Sequence, residues 1–358
     1  MDPEALSILQ QDSLQLLKQL ISTPSFSKEE DNTADIIEQF LERRKVKTRV
    51  HLNNIWATNK FYDEKKSTIL LNSHHDTVKP NKGYTIDPFT PIEKDGKLFG
   101  LGSNDAGGPL VSLIATFLHF YATPDLKYNL ILAATAEEEI SGSNGVEALL
   151  PHLGKIDSAI VGEPTEMEMA VAERGLLVLD CTAHGKAGHA ARNEGENAIY
   201  KAIADIQWFR SCEMPKVSEL LGPVKMSITV IETENKAHNV VPAECRYTVD
   251  VRVNELYSFE EIIDTIKKNV QSEIRVRSFR LRSSSIPLDH PLVKAGMSLG
   301  RNYYGSPTTS DKALMPFPAL KMGPGDSARS HTADEYIYVD EIKKGIELYI
   351  QLLEQVLA

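Results

Sequence analysis

Thr68-Ile69-Leu70-Leu71-Asn72-Ser73-His74-His75-Asp76-Thr77-Val78 is an apolar run that leads directly into a His-x-Asp. Residues 67–71 have the composition of a strand buried on both faces, the kind found in a parallel sheet. A strand end holds a side chain rigidly, an imidazole is a good zinc ligand, and a carboxylate two residues on can fix its tautomer. Taken alone, a His-x-Asp after a strand is more often structural, so the remainder of the chain decides its meaning.

Working outward, residues 129–134 and 158–161 are similar short apolar runs. Helical spacing separates them at residues 110–121 and 144–153, and precedes them at 6–21 (Leu6, Leu9, Leu14, Leu17, Leu20) and 33–44. Alternating strands and helices specify an α/β layered sheet. After Arg174 the texture changes. Residues 176–183, 224–230 and 244–253 read as longer strands, the last alternating Tyr247, Val249, Val251 and Val253, with helices at 198–209 and 258–270 between them. That is a small antiparallel α+β unit. Helical patterns at 291–303 and 341–357 then return to the first texture. The expected organisation is one discontinuous domain, residues 1–174 with 284–358, carrying an inserted domain at 175–283.

A chain of 358 residues exceeds the size at which single cores stop growing, which agrees with two domains. Lys and Arg total 39 against 50 Asp and Glu, a net charge of −11, which argues against nucleic-acid or anionic-membrane partners. Cys181, Cys212 and Cys245 are widely spaced and odd in number, so neither a disulfide framework nor a Cys-x-x-Cys metal site is expected, and a reducing cytoplasm suits them. The acidic start and the polar residues within 6–21 do not read as a signal peptide, and no stretch reads as a membrane span.

Acidic and imidazole groups gather at predicted strand ends and turns. Gly100-Leu101-Gly102-Ser103-Asn104-Asp105-Ala106-Gly107-Gly108 places Asp105 where a helix opens; the plain reading is an N-cap, but flanking glycines allow close approach to a ligand. The 129–134 strand ends in Glu137-Glu138-Glu139, which a solvated acidic run would also explain. Adjacent carboxylates in one site repel unless a cation offsets them. The 158–161 strand is followed by Gly162-Glu163-Pro164-Thr165, and a late Gly323-Pro324-Gly325 turn is followed by His331. In open α/β sheets ligands bind at the carboxyl ends of strands, which is where these groups should meet.

With these motifs in their order and spacing, the chain resembles the dinuclear zinc aminoacylases and peptidases that include acetylornithine deacetylase, succinyl-diaminopimelate desuccinylase and carboxypeptidase G. The resemblance covers nearly the whole chain. It implies a three-layer α/β zinc-peptidase-like catalytic domain with an inserted α+β lid and dimerisation domain, and two zinc ions per chain, with cobalt or manganese as alternatives. Carried over, it implies that Asp105 bridges the metals, His74 and Glu163 hold one, and Glu139 and His331 hold the other. Glu138 is then the general base and Asp76 the carboxylate behind His74. In the inserted domain, the resemblance implies that His189 reaches a partner's site in a homodimer as an oxyanion donor. It makes Asn239 and Arg252 substrate contacts; a strand-edge ion pair with Asp250 is the plain alternative for Arg252. Ser73, Leu101, Glu137 and His75 depart from the family's commoner residues, and none is a ligand.

The expected reaction is removal of an N-acyl group, acetyl or succinyl, from an amino acid. Thr309-Ser310-Asp311-Lys312, followed by Gly323-Pro324-Gly325-Asp326-Ser327 and His331-Thr332, resembles the family branch that removes acyl groups from ornithine or lysine, and the expected substrate is N-acyl-L-ornithine in arginine biosynthesis. Succinyl-diaminopimelate, N-acetyl-lysine and peptides are the alternatives within the family, and a non-catalytic amino-acid binder is the alternative outside it. Arg192, Lys312 and Arg329 are candidate cations for the distal carboxylate of a succinyl group.

Overall fold

The computed structural model describes residues 2–192 and 194–357, which form two compact units. Unit 1 comprises Met1–Val171, Ser285–Tyr304 and Ser310–Ala358; unit 2 comprises Ala172–Ser284 and Gly305–Thr309. The return of Gly305–Thr309 to unit 2 was not expected from the sequence.

Unit 1 is built on a mixed sheet. Its strands run in the order Thr48–His51, Asn54–Thr58, Asn129–Thr135, Thr68–His74, Ser158–Val161, Ala319–Lys321 and Met169–Glu173. The inner four are parallel, with Leu71 opposite Leu132 and Ile160, whereas the Asn54–Thr58 and Met169–Glu173 strands pair antiparallel at the flanks. Every residue of Thr68–His74 and Asn129–Thr135 is buried, as expected of parallel strands covered on both faces. Helix Gly108–Phe120 packs on these two strands, flanked by Pro3–Ile21 and Val339–Leu357. On the opposite face Leu70, Ile131, Ala133 and Val161 join Val146, Leu149 and Leu153 in a second core layer. The result is a three-layer α/β architecture. Two expected helices are shorter than their patterns: 144–153 is an α-turn, Val146–Leu149, followed by a 3₁₀ turn, and 291–303 ends at Ser298. Gly300, at φ +76°, follows, and Tyr303–Ser306 is a strand.

Unit 2 is a four-stranded antiparallel sheet in the order Lys225–Glu232, Glu244–Val253, Gly175–His184, Glu273–Val276. One face alternates Leu177, Leu179 and Cys181 with Tyr247, Val249 and Val251, and these bury against Ala198, Ala202 and Phe209 of one helix and Phe259, Ile262 and Ile266 of another. Helix Phe259–Asn269 starts at a capping box, Ser258 with Glu261, which satisfies two otherwise orphaned amides. The outward face carries charge, and the Lys225–Glu232 edge exposes Val230 and Ile231.

Candidate metal centre

The expected ligands of unit 1 converge at the carboxyl ends of its parallel strands. His74 closes its strand and is 1% exposed. Its Nδ1 lies 3.0 Å from the Asp76 carbonyl and 3.4 Å from Asp76 Oδ1, which leaves Nε2 free to face the site. Around Nε2 stand Asp105 Oδ1 at 3.2 Å, Glu163 Oε1 at 3.8 Å and Glu138 Oε2 at 3.9 Å. His331 Nε2 is 2.9 Å from Glu139 Oε2 and 3.7 Å from Asp105 Oδ2. Asp105 therefore turns one oxygen to each imidazole.

Spacing supports metal binding. Ligand atoms about 2.1 Å from a tetrahedral zinc lie roughly 3.4 Å from one another. Ligand atoms of His74, Glu138 and Glu163 lie within 4.8 Å of each other, and so do those of His74, Asp105 and Glu139. His331 belongs to neither compact set, although its Nε2 approaches Glu139 and Asp105, the two carboxylates of the second set.

Electrostatics give the same answer. Burial pushes Glu138 well above the usual carboxylate range; the charge of His74 opposes this, and those of Glu163, Asp311 and Glu139 add to it. Burial also raises Glu139. Asp105 is lowered despite its burial, because His74 bonds it and His331 lies nearby. Burial works against protonated His74, yet its bonds to Asp105 and Asp76 raise it well above the imidazole range. The Glu139 bond raises His331 to about 9. A donor set of imidazole and carboxylate suits zinc, cobalt or manganese.

Buried carboxylates from distant segments hold the loops that present these ligands. Asp76 accepts the backbone N–H of Glu138 at 3.0 Å and of Glu139 at 3.2 Å, together with Ser27 Oγ at 2.7 Å. It therefore orients both His74 and the acidic turn. Glu30 accepts the Glu137 N–H at 3.2 Å, and Glu137 takes the left-handed conformation that makes the turn sharp. Glu335 accepts the N–H groups of Gly102, Asn104 and Asp105 at 3.1, 2.8 and 2.9 Å, and burial raises it to about 8. Gly102 sits at φ +74°, and a Cβ there would meet Thr77 Cγ2 at 2.6 Å. The Asp105–Ala106 peptide is cis. Asp311 accepts from Asn72 and Thr135, and burial raises it to about 6. Glu30, Asp311 and Glu335 were not among the expected site residues. Burial with several donors converging on one carboxylate is the signal that identifies them, and it exists only in three dimensions.

His75, for which no role was expected, is structural. It is buried, its ring lies 2.9 Å from Thr33 Oγ1 and 2.8 Å from the Asn53 carbonyl, and burial lowers its pKa.

Unit 2 holds the other expected residues. His189 is exposed in the short strand Gly188–His189, pairs with Val240, and accepts the Ala191 N–H on Nδ1 at 3.2 Å. The Ala190 N–H donates to the Asn239 carbonyl at 3.0 Å, so His189 and Asn239 share one corner. Arg252 is near the far end of the Glu244–Val253 strand, roughly 26 Å along it from Glu244 at about 3.3 Å per residue. Its guanidinium forks onto Asp250 at 2.8 and 3.0 Å, so the ion-pair alternative is realised, and Arg252 and Asn239 do not form a pair within one chain. Two of the three candidate cations are engaged elsewhere: Lys312 is buried with Nζ on the Ala170 carbonyl, and Arg329 forks onto Glu341. Arg192 is exposed.

A family model described as peptidase family M20/M25/M40 matches residues 70–355. Succinyl-diaminopimelate desuccinylase 2 of Ruegeria sp. (strain TM1040) is 26% identical over 276 residues, covering 73% of this chain and 70% of that protein. The succinyl-diaminopimelate desuccinylase of Wolbachia pipientis subsp. Culex pipiens (strain wPip) is 25% identical over 376 residues, 96% of this chain and 93% of its own length. Among solved structures, aminopeptidase PepT from Bacillus cereus ATCC 10987 matches with a TM-score of 0.78 at 19% identity, covering 97% of this chain and 98% of that one.

Proposed function

Because the chain belongs to peptidase family M20/M25/M40 and is a metal-dependent hydrolase of amides, we propose that it releases succinate from an N-succinyl amino acid of the succinyl-diaminopimelate type. The observation that carries this reading is the pair of desuccinylases that align with most of the chain, joined to a site whose ligand spacing suits two ions. The relatives favour this substrate over the N-acyl-L-ornithine first expected, which remains the second compound to assay. No described helix is long and apolar enough to cross a membrane.

The residues divide the work as follows. His74, Asp105, Glu139, Glu163 and His331 would hold two zinc ions. When bound, such ions lower the pKa of a water and polarise the scissile carbonyl. Glu138, fixed through its backbone by Asp76, takes the water's proton as the oxygen attacks the carbonyl carbon. Glu138 then returns that proton to the departing nitrogen as the C–N bond breaks. Carboxylate and free amine are the products.

The inserted unit serves a homodimer in this reading. Its Lys225–Glu232 edge pairs on one side only among the described strands and exposes Val230 and Ile231, which suits another chain. His189, with Nδ1 accepting, keeps Nε2–H as a donor for the oxyanion of a partner's site, and Asn239 stands beside it. Arg252 contacts substrate only by sharing its guanidinium with Asp250.

The test is a panel of succinyl-diaminopimelate, succinylornithine, acetylornithine and acetyllysine at fixed zinc. The highest kcat/KM is expected on a succinylated compound. A preference for the acetylated compounds, or no turnover of any, overturns the substrate assignment.

A further inference from the structure

One buried carboxylate touches both strands on which the centre stands. Asp311 opens the turn Asp311–Leu314 and is 4% exposed. Its Oδ2 accepts Asn72 Nδ2 at 2.9 Å and Thr135 Oγ1 at 2.8 Å. Asn72 lies two residues before His74, and Thr135 lies three residues before Glu138. Register places Asn72 opposite Ala133 and His74 opposite Thr135, so a single oxygen joins the parallel strands at the level where they release their ligands. Asn72 and His74, two apart on one strand, project from the same face.

The arrangement has a cost. Asn72 Oδ1 is buried without a hydrogen-bond partner, and a buried unpaired acceptor is unfavourable. An apolar residue at position 72 would avoid that cost. Retaining the amide makes sense if its Nδ2 is needed on Asp311.

We propose that Asp311 is a positioning residue of the metal centre: through Asn72 and Thr135 it sets the separation of His74 from the Glu138–Glu139 turn. This rests on reading the site as a two-metal centre. Asp76, Glu30 and Glu335 hold the ligand loops through backbone N–H groups, whereas Asp311 reaches the two strands through the side chains of Asn72 and Thr135, so these contacts can be removed one at a time by substitution.

Zinc affinity, measured by competition with a chromophoric chelator, and the visible spectrum of the cobalt-substituted protein both report ligand geometry without a substrate. Asp311→Ala is expected to weaken zinc binding about 10- to 100-fold and to change the cobalt spectrum. Asp311→Asn, whose carbonyl oxygen can accept the same two bonds, should restore both readouts, and Thr135→Val, which removes one bond, should fall between. A purely structural role would lower the melting temperature of the metal-free Asp311→Ala protein and leave zinc affinity unchanged, which overturns the proposal. Asp311→Asn as impaired as Asp311→Ala also overturns it, by assigning the effect to charge. If Asp311→Ala does not fold, parent-like zinc affinity in Thr135→Val overturns it instead. A parent protein that binds no zinc overturns the two-metal reading together with this one, whereas failure of the substrate panel with zinc binding intact leaves Asp311 standing.

Discussion

Four acids around the unit 1 site and two on the surface of unit 2 are shifted in opposite directions. In unit 1, Glu138, Glu139, Glu335 and Asp311 are crowded together, buried, and pushed upward. In unit 2, Asp180 lies on the open face of the sheet, takes the forks of Arg277 and Arg275, and falls to about 2. Glu260 likewise falls to about 2 against Arg282. Arginines answer the two unit 2 acids, whereas in unit 1 His331 answers Glu139, Asn72 and Thr135 donate to Asp311, and three backbone N–H groups donate to Glu335. Glu138, Glu139 and Glu163 still repel one another, and a cation among them would offset that repulsion, which agrees with a metal site in unit 1.

The strongest way to break that contrast is to remove the base while leaving the ligands. Glu138→Gln is expected to lower kcat by about 10²- to 10⁴-fold with two zinc ions still bound. Turnover and metal content of the same preparation check it. Loss of zinc in parallel with activity would make Glu138 a ligand, as its place in one compact set with His74 and Glu163 would allow.

A smaller effect is expected from unit 2. His189→Ala should cost about 10²- to 10³-fold in kcat, the usual loss for one oxyanion donor, with zinc affinity unchanged. Mixing it with Glu138→Ala protein under subunit exchange should restore part of the activity, because the mixed dimer holds one site with both groups. Exchange without recovery would confine His189 to its own chain or remove it from the chemistry.

Much of this contrast was legible in the sequence. His74, Asp105, Glu139, Glu163 and His331 stand at strand ends or in glycine-flanked turns, and the buried parallel strands bring those ends together with little freedom. The alternation at Tyr247, Val249 and Val251 likewise marked a sheet with one dry face. What was not legible depends on pairs far apart in the chain. Glu335 organises the turn of Asp105 from 230 residues away, and Asp311 reaches Asn72 across 239. Nothing local distinguishes such acids from solvated ones. Short elements were hidden for a different reason: Ala319–Lys321 has only three residues, too few to display a period, and is a strand because Ser158–Val161 pairs with it. The 291–303 pattern overran because helical spacing continued past Ser298, where Gly300 turns the backbone.

Titration of the metal-free protein sharpens the comparison further. The folded-state value of Glu335, about 8, lies above its ordinary 4.5, so the native protein binds that proton more tightly and loses stability as pH rises between the two. His331, raised from 6.5 to about 9, contributes stability that is complete below 6.5 and lost as pH rises through 9. Asp180 acts in the other direction, adding stability above its ordinary 3.8 that is lost as pH falls to about 2. The melting temperature of metal-free protein should therefore drop by a few degrees between pH 6 and 9. Zinc should flatten the drop, since metal binding displaces protons and strengthens as they leave. Differential scanning calorimetry with and without zinc checks this; a metal-free melting temperature that climbs across the same range contradicts the upward shifts of Glu335 and His331.

The least effect belongs to the paired charges themselves. Arg277 makes short contacts to both oxygens of Asp180, the nearest at 2.7 Å, yet its side chain remains about half exposed at 53%. Water screens the attraction, ordering two long side chains opposes it, and exposed ion pairs of this kind contribute between about 0 and 1 kcal/mol. Arg275 stays on Asp180 when Arg277 is lost, so the carboxylate keeps one cation. Arg277→Ala should therefore change unfolding free energy by less than about 1 kcal/mol and leave kcat and zinc content at parent values. Urea unfolding alongside turnover measures both. A large loss of stability would show that the outward face of the unit 2 sheet is buried in an assembly, where the same fork would be shielded from water and its removal would strand Asp180.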